Sequence, residues 1–431
     1  MPATALFTPL AIGNGRIQLQ HRVVMAPMTR NRGVLYKDNI WLADDVVAQY
    51  YGQRASPGGL LITEGIPPSL EAAGMPHVPG LFDTAQHAGW KKVVDAVHSR
   101  GGFIYAQMWH AGRATIPHFT GGPGTHVSAS SVPWESPEET YPFRTPDKQK
   151  VRYSDFPSTA MTDAHIARTT DDFVQAARKA IALGFDGVEI NGGNGNLLDQ
   201  FLHSNLNMRT DAYGGSIENR CKFPLDLIDA VVGAVGGAGN VGVRLEPAGL
   251  YQGTRGEERV ETWSYLCKKL AEKYGETGKS VSVSETTEER LSYVHFIEPR
   301  FDRIDADEAT AVDFRKSWSS FSPQTPISNE PFRAILAAAG IPCIVCGGGW
   351  TAAEEAEVAL TQQHWSATAF ARQFVSNPDL PERLYLGKLL AEFDRSRFYG
   401  SWDGVREHGY VDYPTWEEEE AKRRKEVETK E

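Results

Sequence analysis

Cysteine is scarce in this 431-residue chain, occurring four times; positive charge is in deficit, with 44 Lys and Arg against 55 Asp and Glu for a net −11. Long apolar runs are missing altogether. Four cysteines are too few for a disulfide-stapled secreted scaffold. The acidic balance argues against nucleic acid as a partner, because binding to phosphate backbones needs Lys and Arg to displace counterions. With no uninterrupted apolar stretch of about 20 residues, no membrane span is expected. The opening MPATALFTPLAIGNGRIQL has no basic start, apolar centre and small-residue cleavage site, so a reduced, cytoplasmic location is the expectation. Oligomeric state is left open between monomer and homodimer.

What is present is a soluble globular composition, 41% hydrophobic and 23% charged. From Val23 onward, short apolar runs alternate with amphipathic stretches: VVMAPM, LLITEG, FIYAQMW, DGVEI, VGVRLEP, SYVHFIEP, PCIVCGGG and SATAFAR, each followed by a helical pattern. Runs apolar on both faces imply parallel strands covered by helices. Eight such units predict an α/β fold, a closed (β/α)8 TIM barrel, rather than an open sheet. Residues before Val23 read as a hairpin plugging the barrel bottom, with Asn14-Gly15 as its turn. One domain over about 1–415 is expected, with a charged tail at 416–431.

Two insertions interrupt the repeat. Residues 113–158 are rich in Gly, Pro, Ser and Thr and too long for an ordinary connection, which predicts a lid over the mouth. Residues 275–289, GETGKSVSVSETTEE, are polar and poor in aromatics, so an exposed insertion is expected. Cys343 and Cys346 spell C-x-x-C, but on a strand i and i+3 face opposite sides. Both are therefore read as core thiols, and no metal is expected.

Polar residues gather just after the strands, at Thr29, Glu64, Gln107, Asn191, Arg244, Gly347 to Gly349 and Arg372. In a barrel these strand ends converge on one mouth, where ligands bind. The glycines after the seventh strand and Arg372 after the eighth suit a phosphate. The segment DGVEINGGNGNLLDQFLHSNLNMRTDAYGGSIENR, the turns APMTR, ITEG and QMWHAGR, and the stretch ARQFVSNPDL together resemble the old yellow enzyme family of FMN-dependent ene reductases, over nearly the whole chain.

That resemblance implies FMN as cofactor, NADPH or NADH as electron donor and an enone-type small molecule as substrate. It places the flavin against Pro27, Met28, Thr29, Gly65, Gln107 and Arg244, with its phosphate at Gly348, Gly349, Ala371 and Arg372. Thr29 would bond the flavin C4=O, Gln107 the pyrimidine edge, and Arg244 would sit beside N1. Taken singly these residues have plainer fates: Arg244 pairing with Glu246, and Trp109 simply packing. Their conjunction favours the flavin.

The chain departs from the family pattern where substrate binds. The slots usually held by His, by Asn or His, and by Tyr carry Asn191, Asn194 and Asn196, and Met75 replaces an aromatic. Asn191 and Asn194 each have an NH₂ donor, so they can still hold a carbonyl oxygen. An amide at Asn196 cannot act as a general acid in place of a phenol. Tyr399 is the first candidate for that proton, with His110, Tyr251 and water behind it; Trp109 and Met75 are expected to shape the substrate pocket. Two alternatives stand beside an ene reductase: a double-bond isomerase or narrow-substrate biosynthetic reductase, for which the missing Tyr is no loss, and a flavin-binding module without catalysis.

Overall fold

A computed structural model describes residues 4–122, 124–276, 289–298, 328–346, 350, 352–400 and 404–429. Eight parallel strands close into a barrel: β1 (Val23–Met25), β2 (Leu60–Ile62), β3 (Phe103–Met108), β4 (Gly187–Gly192), β5 (Val241–Leu245), β6 (Tyr293–Ile297), β7 (Cys343–Cys346) and β8 (Ala367–Phe370). β8 pairs with β1, and β3 pairs with β4. These are the eight apolar runs of the sequence. Their side chains are buried towards the barrel centre or beneath the helices, which explains the lack of polar alternation.

The outer layer is built by amphipathic helices. α1 (Asp45–Arg54) starts at Asp44, whose carboxylate accepts from the backbone N–H of Val47 at 3.3 Å. α2 (His87–His98) buries Trp90, Val93, Val94 and Val97, the i, i+3, i+4, i+7 stripe of one helix face. α3 (Asp163–Leu183) opens on a capping box between Thr162 and His165 and stops at Gly184, whose φ of 97° suits a residue without Cβ. Helices Ile217–Ala234, Arg259–Tyr274, Glu330–Ala338 and Ala353–Thr361 follow β4 to β7, and Leu380–Leu386 follows β8.

The predicted plug is present. Leu10–Ile12 and Ile17–Leu19 pair antiparallel, with Asn14 and Gly15 both at positive φ in the turn. Ile12, Ile17 and Leu19 pack with Val24, Leu60, Tyr105, Tyr293, Ile344 and Ala367 at the N-terminal ends of the strands, closing that end of the barrel. A second hairpin, Val34–Lys37 with Ile40–Leu42, stands between β1 and α1 and was not anticipated from the sequence.

Residues 113–158 form more than a loop. Ile116, Phe119, Trp134, Tyr141, Phe143 and Tyr153 make an apolar core of their own, and Met75 packs against it. Val127–Ser128 pairs in parallel with Thr159–Ala160 at its base. Of the polar insertion at 275–289, residues 277–288 lie outside those described. The charged tail forms the helix Trp416–Glu428, tied at its first turn by Glu419 to Arg383 at 3.0 Å and by the Trp416 N–H to Asp379. All four cysteines are free and buried, with Cys343 and Cys346 in separate packing clusters on the two faces of β7. Among the described residues no helix is long and apolar enough to cross a membrane, and no group of His, Cys, Asp and Glu is arranged to hold a metal ion.

Candidate active site

At the C-terminal ends of the strands lies a cavity of about 330 Å³. Pro27, Met28 and Thr29 after β1, Gly65 after β2, Gln107 of β3 and Trp109 just after it, Asn191, Asn194 and Asn196 from β4 and its loop, and Arg244 of β5 all line it. Met75, Ala371, Arg372 and Tyr399 complete the set read from the sequence. Gly348 and Gly349, with Gly347, lie outside the described residues. His110 does not belong to the lining. It is buried, its Nδ1 accepts from the Gly112 N–H, and burial lowers its pKa to about 3, so its ring is neutral near pH 7 and its remaining N–H is too weak an acid for the protonation step.

Strand register explains the gathering. Asn191 lies beside Arg244, Glu189 beside Gln107, and Arg244 beside His295 on neighbouring strands. Residues two apart on a strand share a face, so Glu189 and Asn191 point to the same interior. Gln107 Nε2 donates to Glu189 Oε1 at 2.6 Å, and Asn191 Nδ2 donates to Gln107 Oε1 at 3.2 Å. The Gly193 N–H donates to Asn191 Oδ1 at 2.9 Å, fixing which end of that amide faces the cavity.

Asn194 is engaged differently from Asn191. Its backbone, at φ 59°, occupies the left-handed region that Asn tolerates better than most residues. Its N–H and its Nδ2 both donate to Glu246 Oε2, at 2.7 and 3.1 Å, while its Oδ1 accepts from Arg244 Nη1 at 3.3 Å. Glu246 therefore joins the cavity wall by holding Asn194. The sequence alone suggests Glu246 only as a partner for Arg244. Asn196, which heads the short helix Leu197–Leu202, makes no capping bond with its side chain. The loop between them is pinned from below, where the Gly195 N–H meets Asp199 Oδ2 at 2.9 Å and the Gly195 carbonyl accepts from Gln200 at 2.7 Å.

Tyr399 comes from the far end of the chain. It is 49% exposed, and its ring meets the edge of Phe143 in the 113–158 segment. Buried arginines fasten the strap that carries it. Arg30 donates to the carbonyls of Phe398 at 2.9 Å and Gly409 at 2.7 Å, and its own carbonyl accepts from Gly400. Arg32 donates to the carbonyls of Arg406 and His408, and Arg54 to that of Tyr410. Tyr410 stacks on Tyr50 at 4.1 Å. Glu64, fully buried beside this cluster, has its pKa pushed up to about 7 by burial, opposed by the Arg30 backbone and by Arg30 and Arg32.

Residues 5–389 match the profile of the NADH:flavin oxidoreductase / NADH oxidase family. The chain belongs to the old yellow enzyme family. The flavin oxidoreductase hxnT of Emericella nidulans is 44% identical over 413 residues, 96% of this chain and 98% of that protein. The 12-oxophytodienoate reductase 1 of Oryza sativa subsp. japonica is 36% identical, over 96% of this chain and 94% of its own length. Morphinone reductase has the same fold, with a TM-score of 0.78 at 36% identity over 96% of this chain and 97% of that one, and it has also been solved in complex with tetrahydroNAD.

As an old yellow enzyme the protein is a nicotinamide-dependent flavin oxidoreductase with FMN as cofactor. The residues fit that group. Among the described residues the Nε of Arg244, buried at the cavity wall, has no hydrogen-bond partner, and an electronegative edge of a ligand would satisfy it. Gln107 keeps one amide hydrogen beyond the bond to Glu189. Two contributors escaped the sequence reading, Glu189 and His295. They are a hydrogen-bonded pair hidden inside apolar strand runs, with His295 Nδ1 3.0 Å from Glu189 Oε2.

Proposed function

We propose that this enzyme reduces the C=C bond of an α,β-unsaturated carbonyl compound, with NADPH or NADH as donor and the carbonyl oxygen held by Asn191 and Asn194. The observation that carries the reading is the meeting of Gln107, Arg244, Asn191 and Asn194 on one cavity wall, with the Arg244 Nε unpartnered among the described residues. When bound there, FMN would supply the hydride chemistry that couples oxidation of the nicotinamide to reduction of the substrate's β carbon.

The chain's own groups do the rest. Asn191 and Asn194 each spend one amide hydrogen inside the protein, on Gln107 and Glu246, and each retains a second. Two fixed N–H donors aimed at the carbonyl oxygen stabilise the negative charge that gathers there as the β carbon is reduced. The α carbon then needs a proton. Asn196 occupies the family's Tyr slot but is no acid, and Tyr399, which lines the cavity, is the phenol we assign to the step. Trp109 and Met75 pack together with Val78 and Ala111 to form the apolar wall for the substrate's body.

The test is anaerobic. NADPH or NADH should bleach the yellow protein, and a cyclic or linear enone should restore the colour. Bleaching that no enone in a broad panel reverses would overturn the reading. A second reading, a double-bond isomerase or a reductase of narrow substrate range, is favoured by Asn194 being bound to Glu246 and Arg244 and by Asn196 in place of a phenol. Isomerised product formed without net loss of nicotinamide would decide for it. A module without catalysis is set aside by membership in an enzyme family.

A further inference from the structure

Glu189 lies on β4, fully buried between Gln107 of β3 and His295 of β6. A carboxylate can only accept hydrogen bonds. The hydrogen on His295 Nδ1 and the NH₂ of Gln107 must therefore both face it, at 3.0 and 2.6 Å. Burial opposes both charges. The attraction of His295, aided by Arg244 and Gln107, nevertheless holds the Glu189 carboxyl below its usual range, and Glu189 holds the imidazole of His295 above its own.

The choice made at Glu189 propagates. With its nitrogen committed to the carboxylate, Gln107 turns its oxygen to Asn191, whose Nδ2 donates at 3.2 Å; the oxygen of Asn191 then takes the Gly193 N–H at 2.9 Å. A primary amide has two ends of nearly equal shape, and packing alone does not choose between them. Along this line every hydrogen bond runs from N–H to oxygen in the direction of the one carboxylate. A neutral amide in place of Glu189 removes that sink, and Gln107 loses its reason to turn its nitrogen there, while Asn191 keeps only the Gly193 N–H to orient it.

We propose that the Glu189–His295 pair is a positioning device that sets the amide orientation of Gln107 and, together with the Gly193 N–H, that of Asn191, and so decides which hydrogens the site presents to the cofactor and to the substrate carbonyl. The cofactor half stands on FMN binding alone; the substrate half rests on Asn191 as carbonyl anchor. Neither Glu189 nor His295 lines the cavity, so their action passes through Gln107 and Asn191.

Glu189→Gln and Glu189→Asp separate orientation from packing. Gln keeps the shape and loses the acceptor-only character; Asp keeps that character and loses one methylene of reach. FMN affinity is read by flavin fluorescence titration of the apoprotein, and KM and kcat by turnover of an enone. Glu189→Gln should weaken FMN binding about tenfold and raise KM more than it lowers kcat, with Glu189→Asp nearer to wild type. A role in packing alone reverses that order, and the reversed order, or wild-type FMN affinity in Glu189→Gln, overturns the proposal. Asn191→Ala measured alongside isolates the anchor reading: an unchanged KM there removes the substrate half and leaves the FMN comparison intact. Should Glu189→Gln not fold, neutron diffraction of the wild-type holoenzyme decides, with deuterium on Gln107 expected towards Glu189. Deuterium towards Asn191 would refute it.

Discussion

At the scale of single residues, the proton on the α carbon separates this chain from its family pattern. If Tyr399 delivers it, Tyr399→Phe should cut turnover of an enone by about 10²-fold or more, the usual worth of a general acid, with flavin reduction by nicotinamide unchanged. Stopped-flow traces of the two half-reactions make the distinction. Asn196→Tyr restores a phenol in the slot beside the Asn191 anchor, and at least a tenfold rise in the oxidative half-reaction is the expected outcome. Equal rates in both variants would leave water as the donor. The cavity position of Asn196 was legible because it sits in a motif just after a strand, whereas Tyr399 reaches the cavity from a strap at the far end of the chain. The bond partners were not legible. That Asn194 is held by Glu246 follows from a loop closing on β5, which no spacing along the chain reveals.

At the scale of elements, the described parts of the strap, residues 397–400 and 404–411, owe their position to guanidinium groups from residues 30, 32 and 54, more than 300 positions earlier in the chain. Arg30→Met keeps an apolar stem but deprives the buried carbonyls of Phe398 and Gly409 of their donor. A loss of about 3 kcal/mol in the denaturant midpoint analysis is expected, accompanied by a raised KM as Tyr399 loosens. Glu64 in the same cluster gives a pH signature. Its folded pKa, near 7, lies above the unfolded value near 4.5, so the folded state binds the extra proton. Its contribution is therefore most favourable below pH 4.5 and is lost as pH rises towards 7 and beyond. Glu64→Gln lacks this loss, and the difference in melting temperature, variant minus wild type, should grow between pH 5 and pH 8. A flat difference would contradict the raised pKa. Long-range clamps of this kind were invisible to pattern reading, since an arginine in APMTR-NR looks the same whether it meets a ligand or a distant carbonyl.

At the scale of the whole molecule, the barrel was the most legible feature: eight apolar runs became eight strands, and the hairpin before Val23 sits where the sequence put it. The reason is physical, since burial on both faces leaves a strand no freedom to be polar. The pair Glu189 and His295 escaped for the same reason. Each is one polar letter in an apolar run, and only the closed register brings the two strands' letters together. Cofactor binding should register on the entire fold. FMN at about 100 times its Kd adds roughly 2.7 kcal/mol to the folded state, and calorimetry of apoprotein and holoprotein should show a melting temperature higher by several degrees with FMN.

The hairpin carries a kinetic consequence. Ile12, Ile17 and Leu19 cork the barrel at the end remote from the cavity, so traffic through the core by that route is barred. On the proposed ene-reductase reading, donor and acceptor both reach the flavin from the cavity end and take turns there. Double-reciprocal plots against the two reactants should come out as parallel lines, and an excess of either should obstruct the other.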